Sequence, residues 1–288
     1  MKRLIIHIGT HKTATTGFQR ICFRFKKLLR NYNIDYPTLK DFPGLNNHAP
    51  VAWMLDQPNN QKWQKYLDEL LENSLKLNCS TILLSSEDFE NILVNHGILK
   101  NIMRVAEAQG ITNIELVLTT RKPIEYLDSI YTQLSQHGAI LDYHEIAKSS
   151  ARSGYFMHSS QHYNYCFAIK ALELSRNLSE SFPNIKIHHF SFDEFLQKYP
   201  GRRLFADVLS VEIAEKIESF DLNKLEVLRA NKSINQIQTE INYAYNTLGA
   251  NIHDIKNIIH KSLILSIAQQ RIAHTSEGRS LAKELLKD

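Results

Sequence analysis

Short apolar runs that alternate with helical stretches constrain this 288-residue chain more than any other feature. Leu4-Ile5-Ile6-His7-Ile8-Gly9 is the first, and Ser80–Ser85, Ile114–Thr119 and Ile185–Phe190 repeat it, with a shorter run at Ile34-Asp35-Tyr36-Pro37. Continuous apolar, β-branched runs of this length read as strands buried on both faces. Helical periodicity fills the intervals: from the end of the first strand to about residue 30, then Gln61–Leu77 and Val94–Ala108. A further helix opens at Pro123, where proline suits the first helical position, and runs to about Gln136. Strands separated by helices need right-handed crossovers, so the expected fold class is α/β, a three-layer fold with a central parallel sheet. Residues 38–60 are rich in proline and are expected to be irregular, with at most a short helix near Ala49–Leu55. After Gly138 the pattern weakens until a helix expected at about Ser160–Asn177. The remainder reads as mostly helical, at Asp193–Lys198, Arg202–Leu209 and Asn223–Leu228, and as a helical C-terminal extension from about residue 234. A single domain over residues 1–288 is the expected organisation.

Composition narrows the function classes. Apolar residues make up 43% and charged residues 22%, as in ordinary soluble globular proteins. No apolar run approaches the roughly 18–20 residues that cross a bilayer. The first strand begins at once, with no signal peptide ahead of it, so a cytoplasmic protein is expected. Cys22, Cys79 and Cys166 form no C-x-x-C pair and are odd in number, which points to buried free thiols. Thirteen histidines show no H-E-x-x-H or similar ligand spacing. His188 and His189 lie in a strand, where neighbours face opposite sides and cannot easily share a metal. The net charge of +4 suits an anionic ligand without demanding nucleic acid. The densest basic stretch, Arg24–Arg30, has helical apolar spacing and reads as a solvated helix face.

Ligands of parallel sheets bind beyond the carboxyl ends of the strands. That directs attention to Gly9–Thr16, Ser85–Glu87, Thr119–Arg121 and His189–Ser191. In the first, a tight turn crowded with hydroxyls surrounds Lys12 just before a helix: Thr10-His11-Lys12-Thr13-Ala14-Thr15-Thr16. A helix start presents unpaired N–H groups and the positive end of the dipole, threonines add donors, and lysine adds a mobile charge. The result is an anion cradle. A triphosphatase loop needs G-x-x-x-x-G-K-[ST], and no glycine precedes Lys12 at the required place.

The string Gly9-x-x-Lys12-Thr13-Ala14-Thr15-Thr16 instead resembles the 5′-phosphosulfate loop of the sulfotransferases that use 3′-phosphoadenosine 5′-phosphosulfate (PAPS). The resemblance is to the bacterial glycan or carbohydrate type, with a P-loop-like fold; the family usually has glycine where this chain has Ala14. Arg121 at a strand end and Ser129 on the following helix match the family's pair for the 3′-phosphate, and an arginine fork suits phosphate bidentately. The segment Arg229-Ala230-Asn231-Lys232-Ser233 resembles a basic loop that closes over the cofactor; it reads equally as a polar break between two helices. The resemblance therefore implies PAPS as cofactor, contacted by His11, Lys12, Thr13, Ala14, Thr15, Thr16, Arg121, Ser129, Arg229 and Asn231, with no metal required.

Sulfuryl transfer is an in-line displacement in which the acceptor hydroxyl loses a proton and the leaving phosphate gains charge. Lys12 is the expected stabiliser of that charge; loss of such a donor typically costs ~3–4 kcal/mol. Glu87, in Ser85-Ser86-Glu87-Asp88-Phe89, is the expected general base, as in the glycan sulfotransferases that carry a glutamate at this strand end. The same residues read structurally as a helix cap, Asp88, and a dipole partner, Glu87. His48, in Asn46-Asn47-His48-Ala49-Pro50, is the second candidate for proton transfer, whereas His7 reads as a core residue. A hydroxyl-bearing acceptor, a saccharide or glycan precursor, is expected between walls that include Tyr36, Trp53, His137, Tyr143, Tyr155 and Phe156. Products would be adenosine 3′,5′-bisphosphate and a sulfate ester. The alternatives are a P-loop-like small-molecule kinase and a non-catalytic module that binds nucleotides or polyanions.

Overall fold

The first strand sets the architecture. In the computed structural model, which describes residues 2–56, 62–159, 164–222, 239–240 and 258–286 (for 258–265 the backbone alone), Arg3–Gly9 forms β1, buried from Leu4 onward. Helices α1 (Thr15–Arg24) and α2 (Lys26–Asn31) follow, then β2 (Ile34–Asp35), α3 (Ala49–Leu55), α4 (Lys62–Lys76) and β3 (Thr81–Ser85). A 3-10 turn over Glu87–Leu93 leads to α5 (His96–Ala108), β4 (Asn113–Thr120), α6 (Pro123–Gln136) and α7 (Tyr143–Ser153). Next come β5 (Phe156–Ser159), β6 (Asn164–Phe167), α8 (Ala171–Ser181), β7 (Lys186–Ser191) and α9 (Phe192–Leu196). The one-turn α10 (Arg202–Leu204), a π-helical turn over Phe205–Leu209, α11 (Val211–Glu218) and the long α12 (Ile258–Leu285) follow.

Five parallel strands form the central sheet in the order β2-β3-β1-β4-β7, and β5 pairs with β6 separately. The protein is thus an α/β fold with a central parallel sheet flanked by helices. Register places His7 opposite Ser85, Gly9 opposite Thr119 and Thr120 opposite Ser191. All four strand ends singled out in the sequence therefore open on one edge of the sheet. Phe18, Ile21 and Cys22 of α1 join Ile5, Leu83, Val117, Phe190, Phe195 and Phe205 in one apolar core. Each fully buried side chain of this kind contributes roughly 1.5–3 kcal/mol. The three cysteines are buried and free.

The chain divides into two compact units, residues 1–121 with 157–230 and residues 122–156 with 231–288. The first holds the parallel sheet. The second holds α6, α7 and α12, with the rings of Tyr131 and Tyr143 edge-on at 5.1 Å and the buried Glu240 carboxylate accepting from Thr275 Oγ1 at 2.8 Å. Among the described residues no helix is long and apolar enough to cross a membrane.

Three expectations need correction. The helix after β1 is broken at Phe25, whose backbone (φ −96°, ψ 16°) leaves the helical basin, so two helices stand where one was expected. The helix expected at Ser160–Asn177 begins only at Ala171; Asn164–Phe167 is a strand with its Cys166-Phe167 end buried. The weakly patterned stretch after Gly138 holds α7, capped by Asp142, whose side chain accepts from the N–H of His144 and Glu145, and closed by Gly154 at φ 81°. These are ordinary start and stop signals, aspartate before the first turn and glycine after the last. The helix expected at Asn223–Leu228 lies outside the described residues.

Candidate functional site

The turn after β1 is shaped by backbone. A Cβ on Gly9 would meet Thr15 Cγ2 at 1.9 Å, so only glycine lets the helix start fold back this closely. Thr10 ties the turn to the end of β4, its N–H and its Oγ1 each donating to Thr119 O at 3.1 Å. Lys12 and Ala14 have positive φ, 63° and 60°, with Thr13 between them on the ordinary side. Alternation of this kind turns successive N–H groups toward one concave side, the geometry of an anion nest. Thr13 Oγ1 donates back to Thr10 O, and Ala14 opens α1 with no side chain capping it. Gly17 N donates to Ala14 O at 3.0 Å, and among the described residues the N–H groups of Thr15 and Thr16 are left to a ligand or solvent.

Carboxylates from the segment after β3 line the other side. Ser86, not Asp88, caps the 3-10 turn, accepting from Asp88 N at 3.1 Å. Thr15 Oγ1 donates to the Glu87 carboxylate, which brings the expected base onto the loop. Lys12 is half-buried and makes no hydrogen bond or ion pair with the described residues. Burial pulls its pKa below the usual ammonium value, and the negative charge of Glu87 opposes that shift.

His11, expected among the cofactor contacts, turns the other way. Its N–H and Nδ1 meet Glu90 Oε2 at 3.2 and 2.9 Å, and its Nε2 lies 3.7 Å from Asp88 Oδ1. Burial alone would lower its pKa; the Asp88 carboxylate facing Nε2, the hydrogen bond to Glu90 and the charges of Glu90 and Glu87 overcome this and push it up to about 10. With both ring nitrogens facing carboxylates, the His11 side chain braces the loop. Glu90, fully buried, was not singled out in the sequence, yet it also accepts from Ala168 N and so joins the loop to the segment after β6. The signal for it was the acidic triple Glu87, Asp88 and Glu90 directly after a buried strand, where solvation cannot account for three carboxylates.

His48 is likewise corrected from a base to a brace. It is fully buried; Nδ1 accepts from Ser85 N at 3.0 Å, which leaves the Nε2–H to donate to Pro37 O at 2.9 Å. Burial lowers its pKa to about 4, so it is a neutral link between two backbone segments. His7 is the core residue expected, between Ser85 Oγ (2.8 Å) and Thr119 Oγ1 (3.2 Å), with burial lowering its pKa to about 3. His188 and His189 face different partners, Glu115 and Thr120, each at 2.6 Å, as strand alternation requires.

At the end of β4 the Arg121 guanidinium stacks over the Phe192 ring at 4.9 Å. Ser129 belongs to the second unit, on α6, where its Oγ donates to Glu125 O at 2.8 Å. Thr16 lies half-buried in the first turn of α1. Arg229 and Asn231 lie outside the described residues. Of the expected acceptor walls, Tyr36, Tyr143 and Phe156 are buried; Tyr36 OH donates to Asn46 O and Tyr143 OH to Asp128 Oδ1, both at 2.7 Å. These three are packing residues. Trp53 and Tyr155 are half-buried and His137 is exposed.

The site is thus a hydroxyl-rich nest with a half-buried lysine at the positive end of a helix, facing a carboxylate fixed by one of its own threonines. It can hold an anion by its backbone and set a base and a cation beside it. No protein-family model, curated protein or solved structure matches the chain.

Proposed function

We propose that the protein is a PAPS-dependent sulfotransferase acting on a hydroxyl of a saccharide or other glycan precursor. The observation that carries this reading is the loop itself: positive φ at Lys12 and Ala14, an uncapped α1, and Glu87 hydrogen-bonded to Thr15. The loop fits a 5′-phosphosulfate because the nest and helix start offer N–H donors, while Lys12, which makes no hydrogen bond or ion pair with the described residues, offers a charge beside Glu87. The cofactor supplies an activated sulfuryl group. Glu87 takes the proton of the attacking hydroxyl, and Lys12 holds the phosphate oxygen that gains charge as its bond to sulfur breaks. The backbone of Thr13–Thr16 orients the 5′ end, and the planar fork of Arg121, at the next strand end, serves the 3′-phosphate. Cytoplasmic location accompanies this reading, since PAPS is a soluble nucleotide.

The test is calorimetric titration of the full chain with adenosine 3′,5′-bisphosphate in EDTA, followed by transfer of radiolabelled sulfate from PAPS to a saccharide panel. Binding without magnesium is expected. Lys12→Met should lower turnover by about 10²–10³-fold, the range seen when one preorganised donor is removed. Glu87→Gln should reduce turnover steeply with nucleotide affinity nearly unchanged. Absence of nucleotide uptake by the folded chain overturns the proposal; magnesium-dependent binding of ATP in its place would favour a kinase.

A further inference from the structure

The second unit gathers a donor set that no sequence motif announces. Asp142 caps α7 through Oδ1, which accepts from His144 N at 2.8 Å and Glu145 N at 3.3 Å. Its other oxygen, Oδ2, points to His274 on α12, whose Nε2 is 3.0 Å away and 132 positions distant in sequence. His144, in the first turn of α7, stacks against His274 with ring centroids 4.1 Å apart. One nitrogen or oxygen from each of the three residues lies within 4.8 Å of the others.

Two observations indicate that something is meant to sit between them. Among the described residues the buried His144 Nδ1 has no hydrogen-bond partner; Asp142 Oδ1 is 3.8 Å away. A buried imidazole nitrogen without a partner is costly unless it takes a proton, a donor or a metal. The second is Gly278, one turn along α12 from His274. A Cβ there would come within 3.0 Å of that same nitrogen, so a bare backbone leaves room where any other residue would crowd it.

We propose that Asp142, His144 and His274 bind one borderline divalent metal of the zinc class, fastening α12 to the start of α7. Two imidazoles and one carboxylate form a donor set that zinc accepts. Bonds of about 2.0–2.2 Å in a tetrahedron put donors roughly 3.3 Å apart; His274 Nε2 is 3.0 Å from Asp142 Oδ2, His144 Nδ1 is 3.8 Å from Asp142 Oδ1, and one donor from each residue lies within 4.8 Å of the others, so the side chains close in around the ion. A fourth position is left to solvent. Among the described residues Arg271 is the arginine or lysine beside the carboxylate, with Nη1 3.7 Å from Asp142 Oδ2. Its charge is shared with the buried Glu240, 3.7 Å from Nε, and its Nη2 donates to Tyr131 OH and Leu141 O. Arg271 is thus held by groups other than Asp142 and need not leave for the metal to enter. The site is structural in character and independent of the sulfotransferase reading.

The experiment uses the full chain stripped with EDTA. Calorimetry with Zn2+ should give one equivalent bound, the melting temperature should rise by several degrees, and Co2+ should give the visible absorption of a low-coordinate nitrogen–oxygen site. X-ray absorption of the zinc-loaded wild type should show two imidazoles. His144→Gln and His274→Gln should each abolish the stoichiometric uptake and the thermal shift. Gly278→Ala keeps every donor and should weaken binding at least tenfold. Failure of the wild type to take up one equivalent overturns the proposal, as does an absorption spectrum without imidazole, which holds even where a variant does not fold. Equal binding by a foldable double glutamine variant would overturn it as well.

Discussion

His11 and His48 are the same side chain, both buried in the first unit, and they carry opposite charge states. Each is desolvated, which alone lowers a histidine pKa. His11 lies against Glu90 and Asp88 and is held protonated, with its pKa up to about 10. His48 hydrogen-bonds Pro37 O and the Ser85 backbone, and neither these nor the charge of Asp35 offsets its burial, so it stays neutral, with its pKa down to about 4. Burial sets the direction of the first push, and the number of carboxylates within reach decides the outcome. The loop side of the sheet edge is thus an ionic cluster, and the segment from Pro37 to His48 is fastened through neutral hydrogen bonds.

The largest effect should come from removing the carboxylate that makes the difference. Glu90→Ala leaves His11 and Ala168 N without their acceptor and should cost about 3–5 kcal/mol in urea unfolding, as broken buried ion pairs do. Glu90→Gln keeps an acceptor and should cost less. Should the alanine variant prove as stable as wild type, the ionic reading of His11 is broken.

The pH dependence of stability separates the two histidines by sign. Between about 6.5 and 10 native His11 keeps a proton that the unfolded chain has lost, so its stabilisation, complete below pH 6.5, disappears as pH rises through 10. His48, and His7 with its pKa near 3, are neutral when native and protonated when unfolded below pH 6.5. Their contribution is present above pH 6.5 and is lost as pH falls toward 4 and 3. Urea titrations from pH 4 to 10 should therefore show a maximum near pH 6.5, with an alkaline slope of about one proton that shrinks in Glu90→Ala, where Asp88 and Glu87 remain beside His11. An alkaline limb unchanged in that variant assigns the slope to another group.

His48→Ala comes next. It leaves Ser85 N–H and Pro37 O unpaired, for a loss of about 1–3 kcal/mol. It should also reduce the acid slope while the alkaline limb stays in place. The smallest effect tests the turn and not the charges: Ala14→Gly removes left-handed strain and should change stability by about 1 kcal/mol or less in the stabilising direction. Destabilisation by this change would show that the turn gains more from the stiffness of alanine than it loses to its φ.

The parts legible in the sequence were those decided locally. β1, β3 and β4 announce themselves because a strand buried on both faces has no polar alternation, and the turn at Gly9–Thr16 is contiguous. Arg24–Arg30 was read correctly as a solvated face, with only Phe25 and Leu29 buried. The strand Asn164–Phe167 reads as helix in the sequence because a short apolar run fits either period. Glu90 escaped notice because its partners, His11 and Ala168, are 79 and 78 positions away. His48 is expected in proton transfer from the segment Asn46-Asn47-His48-Ala49-Pro50 alone. Nothing in that composition tells that Pro37 and Ser85 close over the ring. The cluster of Asp142, His144 and His274 was hidden by sequence distance alone.

The place of β1 in the sheet has a consequence for how the molecule is made. The middle strand leaves the ribosome before both of its neighbours, and β3 and β4 reach it only after Thr81–Ser85 and Asn113–Thr120 have been synthesised. During that wait the nascent chain carries a largely apolar ribbon, Leu4–Ile8 interrupted only by His7, with two open edges. Such a segment invites holdase binding and makes translation speed, not thermodynamics, the first hazard for this protein.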